Sequence, residues 1–193
     1  DVDYIALNQD TRANLTAKLT YLLKVRPGLG FLIERVKNRG AREGALELLA
    51  QAFPGAGLPA KLDHVEHHVA HLSSAFHVSP FDEAVIVSVD GFGDFASGAW
   101  GVGKREEINV EGRSLFPHSL GVFYQTITQY LGFPNYGDEY KVMGLAPYGA
   151  PEYLPEMRKI VHLKDDGSYE LNLAYFRHHK DKIAFEWQGG TPE

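Results

Sequence analysis

An α/β layered fold is predicted by three features of this sequence. Short apolar runs alternate with longer stretches of helical spacing, in the order strand, helices, strand, helix, three strands, helix. Glycine-rich turns joining the segments between residues 84 and 115 are too short for a crossover, so those strands must be antiparallel neighbours. An apolar content of 44% with 23% charged residues is ordinary for a globular chain, and 193 residues are enough to bury a sizeable core.

Taken in order, residues 2–8 read as a strand, and 11–25 as a helix with Leu15, Leu19, Leu22 and Leu23 on one face. A break at "RPGLG" precedes a second helical region over 31–53, interrupted near Gly40, whose Arg35, Lys37, Arg39 and Arg42 are most simply a solvated face. Residues 60–65 fit a short strand feeding a helix over 66–77. In that helix Val69, Leu72, Ala75 and Phe76 form an apolar stripe, while His67 and His71 share another face. "EAVIVSVD" reads as a buried strand, "FASGAWGVG" as its partner, and 107–115 as a third. The clearest helix follows, with Leu120, Phe123, Tyr124, Ile127 and Leu131 on one face, Ser119 as N-cap and Gly132 at its end. "DEYKVMGLAPYG" reads as a short helix stopped by Pro147 and Gly149, then come a helix near 152–162 and a strand near 168–173.

Composition narrows the function. With 19 basic and 25 acidic residues the net charge is −6 and no long basic run occurs, so a nucleic-acid partner is not expected. There is no cysteine for a disulfide or thiolate metal site, which suits a reducing cytosol. The longest apolar runs fall far short of the roughly 20 residues of a membrane span, and no secretory signal is visible in residues 1–30. A cytoplasmic protein with no membrane partner is the expectation. The chain opens in mid-strand at Asp1 and stops abruptly at Glu193, so it reads as a piece of a larger protein.

The stretch "HVEHHVAHLSSAFH" holds five of the nine histidines. His67 and His71, four apart on a helix, present imidazoles about one turn apart, near enough to share a cation. Such a pair alone is more often a core or surface feature than a ligand set. Three observations shift that balance. Asp90 offers a carboxylate at a strand end, Gly91 and Gly93 leave bare backbone beside it, and no thiolate competes. Two histidines and one carboxylate suit iron(II), manganese or zinc with coordination positions left open. The bare backbone of that turn lets a phosphate oxygen or a metal's outer ligands come close; an Asp-Gly turn without ligand is the plain alternative.

Two further places are candidates. His118 lies just before a helix N-terminus that favours an anion, where it is able to touch phosphate or serve as acid or base, or else to be part of a capping loop. Asp138, Glu139 and Lys141 crowd a helix start, where they are able to contact ribose hydroxyls and phosphate, or to form a solvated cap. Lys141 joins His118 as a candidate catalytic residue, and Asp138 and Glu139 join Asp90, Gly91, Gly93 and Asp94 as candidate cofactor contacts.

Read together and in order, "EHHVAHLSSAF", "VSVDGFGD", "FPHSLGVFYQTITQYLGF" and "DEYKVMGLAPYG" resemble the O-carbamoyltransferases of nodulation-factor and antibiotic biosynthesis. The resemblance implies an actin-like, sugar-kinase-like fold, similar to the tRNA threonylcarbamoyltransferase domain and only partly present here. It places residues 1–193 in the N-terminal carbamoyl-transfer domain. Within it, 1–60 would be peripheral, 61–150 would hold the metal and nucleotide motifs, and 151–193 would be peripheral or inserted. The family's early catalytic residues would precede Asp1. A later aspartate of the metal shell and a domain that activates carbamoyl phosphate with ATP would follow Glu193.

On this chain the family's metal ligands match His67, His71 and Asp90, with iron(II) favoured, and His68 is the residue most easily mistaken for a ligand. The implied reaction passes a carbamoyl group from carbamoyl-adenylate to a hydroxyl of a small-molecule acceptor. The implied partners are that acceptor, carbamoyl phosphate and ATP. Two other functions compete: a sugar-kinase-like ATP phosphotransferase of the same fold, and a non-catalytic nucleotide- or metal-binding module.

Overall fold

A computed structural model describes residues 3–25, 45–55 and 61–179. Its centre is an antiparallel sheet of three strands in sequence order, β3 (Glu83–Gly93), β4 (Ala96–Lys104) and β5 (Glu107–Leu115), as the short turns require. β1 (Tyr4–Leu7) and β2 (Lys61–His64) pair in parallel as a separate two-stranded sheet. The architecture is therefore mixed α/β built around an antiparallel sheet.

The helices before the sheet are α1 (Leu15–Val25), α2 (Ala45–Ala52) and α3 (His67–Phe76). Leu15, Leu19, Leu22 and Leu23 are exposed, contrary to the expected apolar face, and Tyr21 is the buried residue of α1. Tyr21 wins the inward position because its ring packs edge-on against Phe95 and Phe116 while its hydroxyl donates to the His179 carbonyl at 3.0 Å. Of the region expected as helix over 31–53, the described part is α2. Arg35, Lys37, Arg39 and Arg42 lie outside the described residues.

α3 lies on one face of the three-stranded sheet. Leu72 and Phe76 bury against Ile86 and Ala99, with Ala84, Ile108 and Val110 around them. Truncating such a Leu to Ala typically costs about 2–5 kcal/mol. The buried stripe of α3 is His68, Leu72 and Phe76, whereas Val69 is half-buried and Ala75 exposed. Gly103 belongs to the same packing, since a Cβ there would lie 2.6 Å from Phe76 Cγ.

β3 was expected to be buried throughout. Instead it alternates: Ile86 and Ser88 face the core while Val85, Val87 and Val89 are 78%, 63% and 58% exposed. The reason is the antiparallel sheet itself, which is covered by α3 on one face only among the described residues. At the end of β3, Val89 pairs with Gly98 and Gly93 with Ala96, so residues 90–92 stand opposite Ser97 alone. This bulge breaks the alternation and re-aims Asp90.

α4 (Leu120–Tyr130) begins at Ser119, whose hydroxyl accepts from the Val122 amide at 3.1 Å. It ends at Gly132 (φ +91°), where the Gly132 and Phe133 amides return to the Gln129 and Thr128 carbonyls at 2.9 and 3.2 Å. The expected face is only half-buried, Leu131 is exposed, and Val122 and Thr128 are the buried positions. α5 (Glu139–Leu145) passes into a 3₁₀ turn over Ala146–Tyr148. The helix expected over 152–162 is shorter, α6 (Leu154–Ile160). Its last expected residues form β6 (Val161–Leu163), paired antiparallel with β7 (Tyr169–Leu171). β7 and the turn after it bring Leu171 and Phe176 against Val122 in a second small core. Among the described residues, no helix is long and apolar enough to cross a membrane.

Candidate metal centre

α3 begins where β2 ends. Glu66 caps it by accepting from the Val69 amide at 3.0 Å, and Arg113 of β5 reaches the same carboxylate at 3.4 Å. The first turn of the helix then points His67 and His71 toward the β3 bulge. His67 Nε2 lies 2.9 Å from Asp90 Oδ2, His71 Nε2 lies 3.0 Å from His67 Nε2, and His71 Nε2 lies 3.4 Å from Asp90 Oδ2. One ligand atom from each residue thus falls within 4.8 Å of the others, a spacing able to hold a metal ion.

Proton bookkeeping makes the arrangement more specific. His67 Nδ1 lies 3.2 Å from the Asn8 carbonyl, which only accepts, so Nδ1 carries the hydrogen. In the neutral ring Nε2 is then a bare lone pair, aimed at a carboxylate oxygen and at a second imidazole nitrogen. Two acceptors facing at 2.9 Å repel unless a proton or a cation lies between them. The carbonyl that fixes the tautomer is the kind of support that metal-binding histidines use.

The side chains of His67, His71 and Asp90 keep 20%, 45% and 42% of their surface exposed, leaving one side open to an incoming group. Burial pushes the Asp90 carboxyl up, but its contact with His67, the Gly91 amide and the fields of the two imidazoles when they are protonated together hold it below the usual carboxylate range. It is ionised at neutral pH.

The glycines of the turn differ from each other. Gly91 faces open space, with nothing within 4 Å of where a Cβ would stand. A Cβ on Gly93 would overlap His67 Cγ and Cδ2, so this glycine admits the imidazole. Gly121 lets the start of α4 approach β3, since a Cβ there would lie 2.7 Å from the Asp90 carbonyl oxygen. Ser119 closes the same contact by donating to the Gly91 carbonyl at 2.8 Å.

The remaining candidates are engaged elsewhere. Asp94 Oδ2 accepts from the Asp10 and His67 amides at 2.7 and 2.9 Å. His68 is fully buried beside His67 and His71, its Nδ1 2.8 Å from the Ser88 hydroxyl. Burial holds its pKa low against weaker upward pulls from the Ala96 backbone and Glu66.

His118 Nδ1 accepts from the Leu171 amide of β7 at 3.0 Å, and burial lowers its pKa against the opposing pull of Glu170. Asp138 pairs with Lys141 at 2.6 Å and accepts from the Asn135 amide at 3.1 Å. That ammonium, and next the Asn135 amide, outweigh burial and lower the Asp138 pKa; the same contact raises that of Lys141. The Glu139 carbonyl accepts from the Tyr124 hydroxyl at 2.9 Å. Among the described residues no hydrogen bond joins His118, Asp138, Glu139 or Lys141 to the His67 group.

Sequence reasoning missed the supports of the site. Glu66, one residue before the histidines, carried a signal as an acidic residue at a helix start. The Asn8 carbonyl carried none, because a backbone acceptor has no residue type.

A family model described as Carbamoyltransferase N-terminus matches residues 4–187. The chain is similar to nodulation protein NolNO of Sinorhizobium fredii, 43% identical over 129 residues that cover 65% of this chain and 18% of that protein. It is similar to nodulation protein NolO of Bradyrhizobium diazoefficiens, 41% identical over 110 residues covering 56% of this chain and 20% of that protein. An uncharacterized protein of Synechocystis sp. is 44% identical over 114 residues, 58% of this chain and 18% of the relative. The chain therefore spans about a fifth of the length of these relatives.

Proposed function

Since this chain belongs to the carbamoyltransferase N-terminal family, we propose that it supplies the metal-binding half of an O-carbamoyltransferase site on an actin-like fold. The reaction is attack of an acceptor hydroxyl on the carbonyl carbon of carbamoyl-adenylate. A C–O bond to the acceptor forms, the bond to the phosphate oxygen breaks, and AMP and the hydroxyl proton leave. The observation that carries this reading is the convergence of His67 Nε2, His71 Nε2 and Asp90 Oδ2, with the His67 hydrogen held on the far nitrogen by Asn8.

Two nitrogens and one carboxylate oxygen fit iron(II), zinc or manganese better than magnesium, which prefers oxygen ligands. A divalent ion there would polarise the carbamoyl carbonyl and offset charge on the adenylate phosphate. His67 and His71 would hold it as neutral ligands, and ionised Asp90 would lower its net charge. Gly91, the open backbone beside Asp90, is where we place close approach of the adenylate. His118 and Lys141 have no step in this scheme, because one accepts from a backbone amide and the other is paired with Asp138.

A sugar-kinase-like phosphotransferase would be expected to carry magnesium through carboxylates and water, which a histidine pair does not favour. The test uses the full-length protein and its His71→Ala variant. Bound metal, carbamoyl phosphate-dependent adenylate formation and acceptor carbamoylation are measured on the same folded samples. Loss of metal and of carbamoylation with adenylate formation intact is expected. Undiminished carbamoylation in a metal-free variant rules the role out.

A further inference from the structure

We propose that Asp94 is the positioning residue of the His67–His71–Asp90 group, fastening the start of α3 to the loop that fixes the His67 ring; the inference rests on the metal reading above. Asp94 follows the β3 bulge with φ +50°, and Phe95 after it has φ +74°. Two successive non-glycine residues in the left-handed region are uncommon and strained. They turn the Asp94 carboxylate back beneath the first turn of α3.

There, Oδ2 accepts from the amide of His67 at 2.9 Å and from the amide of Asp10 at 2.7 Å. The Asp94 carbonyl also accepts from the Asn14 side-chain amide at 2.9 Å. One aspartate of the β3–β4 turn thus joins the loop after β1 and the start of α3, which are 84 and 27 residues from it along the chain.

The junction matters because of what the loop carries. Asn8 and Gln9 precede Asp10, and their carbonyls accept from His67 and His64, at 3.2 and 2.8 Å. Holding the Asp10 amide holds the Asn8 carbonyl against His67 Nδ1, which keeps the Nε2 lone pair facing Asp90 and His71. Gly93, by admitting the ring, sets its other wall. The same carboxylate occupies an amide at the helix start that has no partner within the helix, where a negative charge is favoured. Asp94 thereby acts on the metal donors while touching only backbone.

Because both amides go to one oxygen, Asp94→Asn can keep both bonds through its amide oxygen, while Asp94→Ala keeps neither. In the full-length protein, cobalt(II) titration followed by visible absorption reads the affinity and geometry of the donor set. Histidine-ring ¹⁵N NMR of the metal-free protein reads the His67 tautomer.

Asp94→Ala is expected to weaken cobalt binding by about 10–100-fold, the range of lost supporting contacts, and to blur the Nδ1–H form of His67. Asp94→Asn is expected to restore most of both. Wild-type binding, spectrum and tautomer in Asp94→Ala would overturn the proposal. So would an Asp94→Asn protein as impaired as Asp94→Ala, since that points to direct ligation.

If the wild type binds no cobalt, the metal reading fails, and the tautomer alone decides the role of Asp94. Loss of the Nδ1–H form in Asp94→Ala supports it, and retention overturns it. Should Asp94→Ala not fold, Asp94→Glu keeps the charge and moves the oxygens by one methylene. Weakened cobalt binding then supports the role, and unchanged binding overturns it.

Discussion

Two regions crowd ionisable side chains, and they resolve the crowding in opposite ways. At Asp138 and Lys141 an acid and a base meet at 2.6 Å, the Asn135 amide supports the acid, and the Phe133 and Tyr140 rings flank the ammonium at 5.7 and 5.8 Å. Each charge is answered within the chain. At His67, His71 and Asp90 two imidazole nitrogens and a carboxylate oxygen converge, and the hydrogen of the neutral His67 ring is committed to Asn8. A run of charged letters is thus uninformative about ligands until the partners of each charge are known.

The largest expected effect breaks the comparison outright. His67→Ala or Asp90→Ala should lower cobalt(II) or iron(II) affinity by more than the roughly 100-fold that supporting contacts reach, whereas Lys141→Met should leave it unchanged. Titration of the three variants side by side checks this. Equal losses would mean that the two clusters are one site.

Gly93→Ala should come next. It drives a methyl into the His67 ring, so it should lower metal affinity and also cost about 1–3 kcal/mol of stability, as overpacking does. Denaturant unfolding in chelator separates the stability loss from the metal loss.

A third effect concerns pH. Burial keeps the His118 imidazole neutral below its ordinary range. The unfolded chain takes up that proton near pH 6.5, while the folded chain takes it up only at lower pH. The contribution of His118 is therefore full above that pH and declines as pH falls through the ordinary histidine range. His118→Asn, which can still accept from Leu171, should flatten the decline between pH 7 and 5 by at most one proton, about 1.4 kcal/mol per pH unit. A slope equal to that of the wild type would show that His118 does not titrate with folding.

The smallest effect lies at the answered pair. The Asp138 carboxyl is held low in the folded state, so its contribution is present above the ordinary carboxylate range and lost as pH falls through the depressed value. Asp138→Asn should shift the unfolding midpoint modestly at pH 7, and the difference from wild type should vanish in strong acid.

Much of the site's position was legible because it depends on local periodicity. Four-residue spacing puts His67 and His71 on one helical face, and an apolar run ending in Asp-Gly puts Asp90 at a strand end. The antiparallel order of β3, β4 and β5 followed from turn length alone. Illegible features came from contacts distant in sequence. Nothing near Asp94 announces that its partner is the Asp10 amide. The inward turn of His68, beside two outward histidines, depends on Ser88 across the sheet. The bare valines of β3 reflect which face α3 covers, and hydrophobicity does not carry that information.

Gly121 has a consequence for how this protein can vary. With no side chain between them, the start of α4 meets the end of β3 as main chain against main chain, 2.7 Å from a notional Cβ to the Asp90 carbonyl oxygen. Backbone cannot adopt another rotamer to make room, so every replacement at 121 wedges the two elements apart at the carbonyl of Asp90, a proposed metal ligand. In a saturation library selected for metal retention, position 121 should be nearly monomorphic, although its residue never touches a ligand and has no functional group. Half-buried Gly91, directly after Asp90 but with open space where a Cβ would stand, should accept small side chains freely until the selection is for transfer.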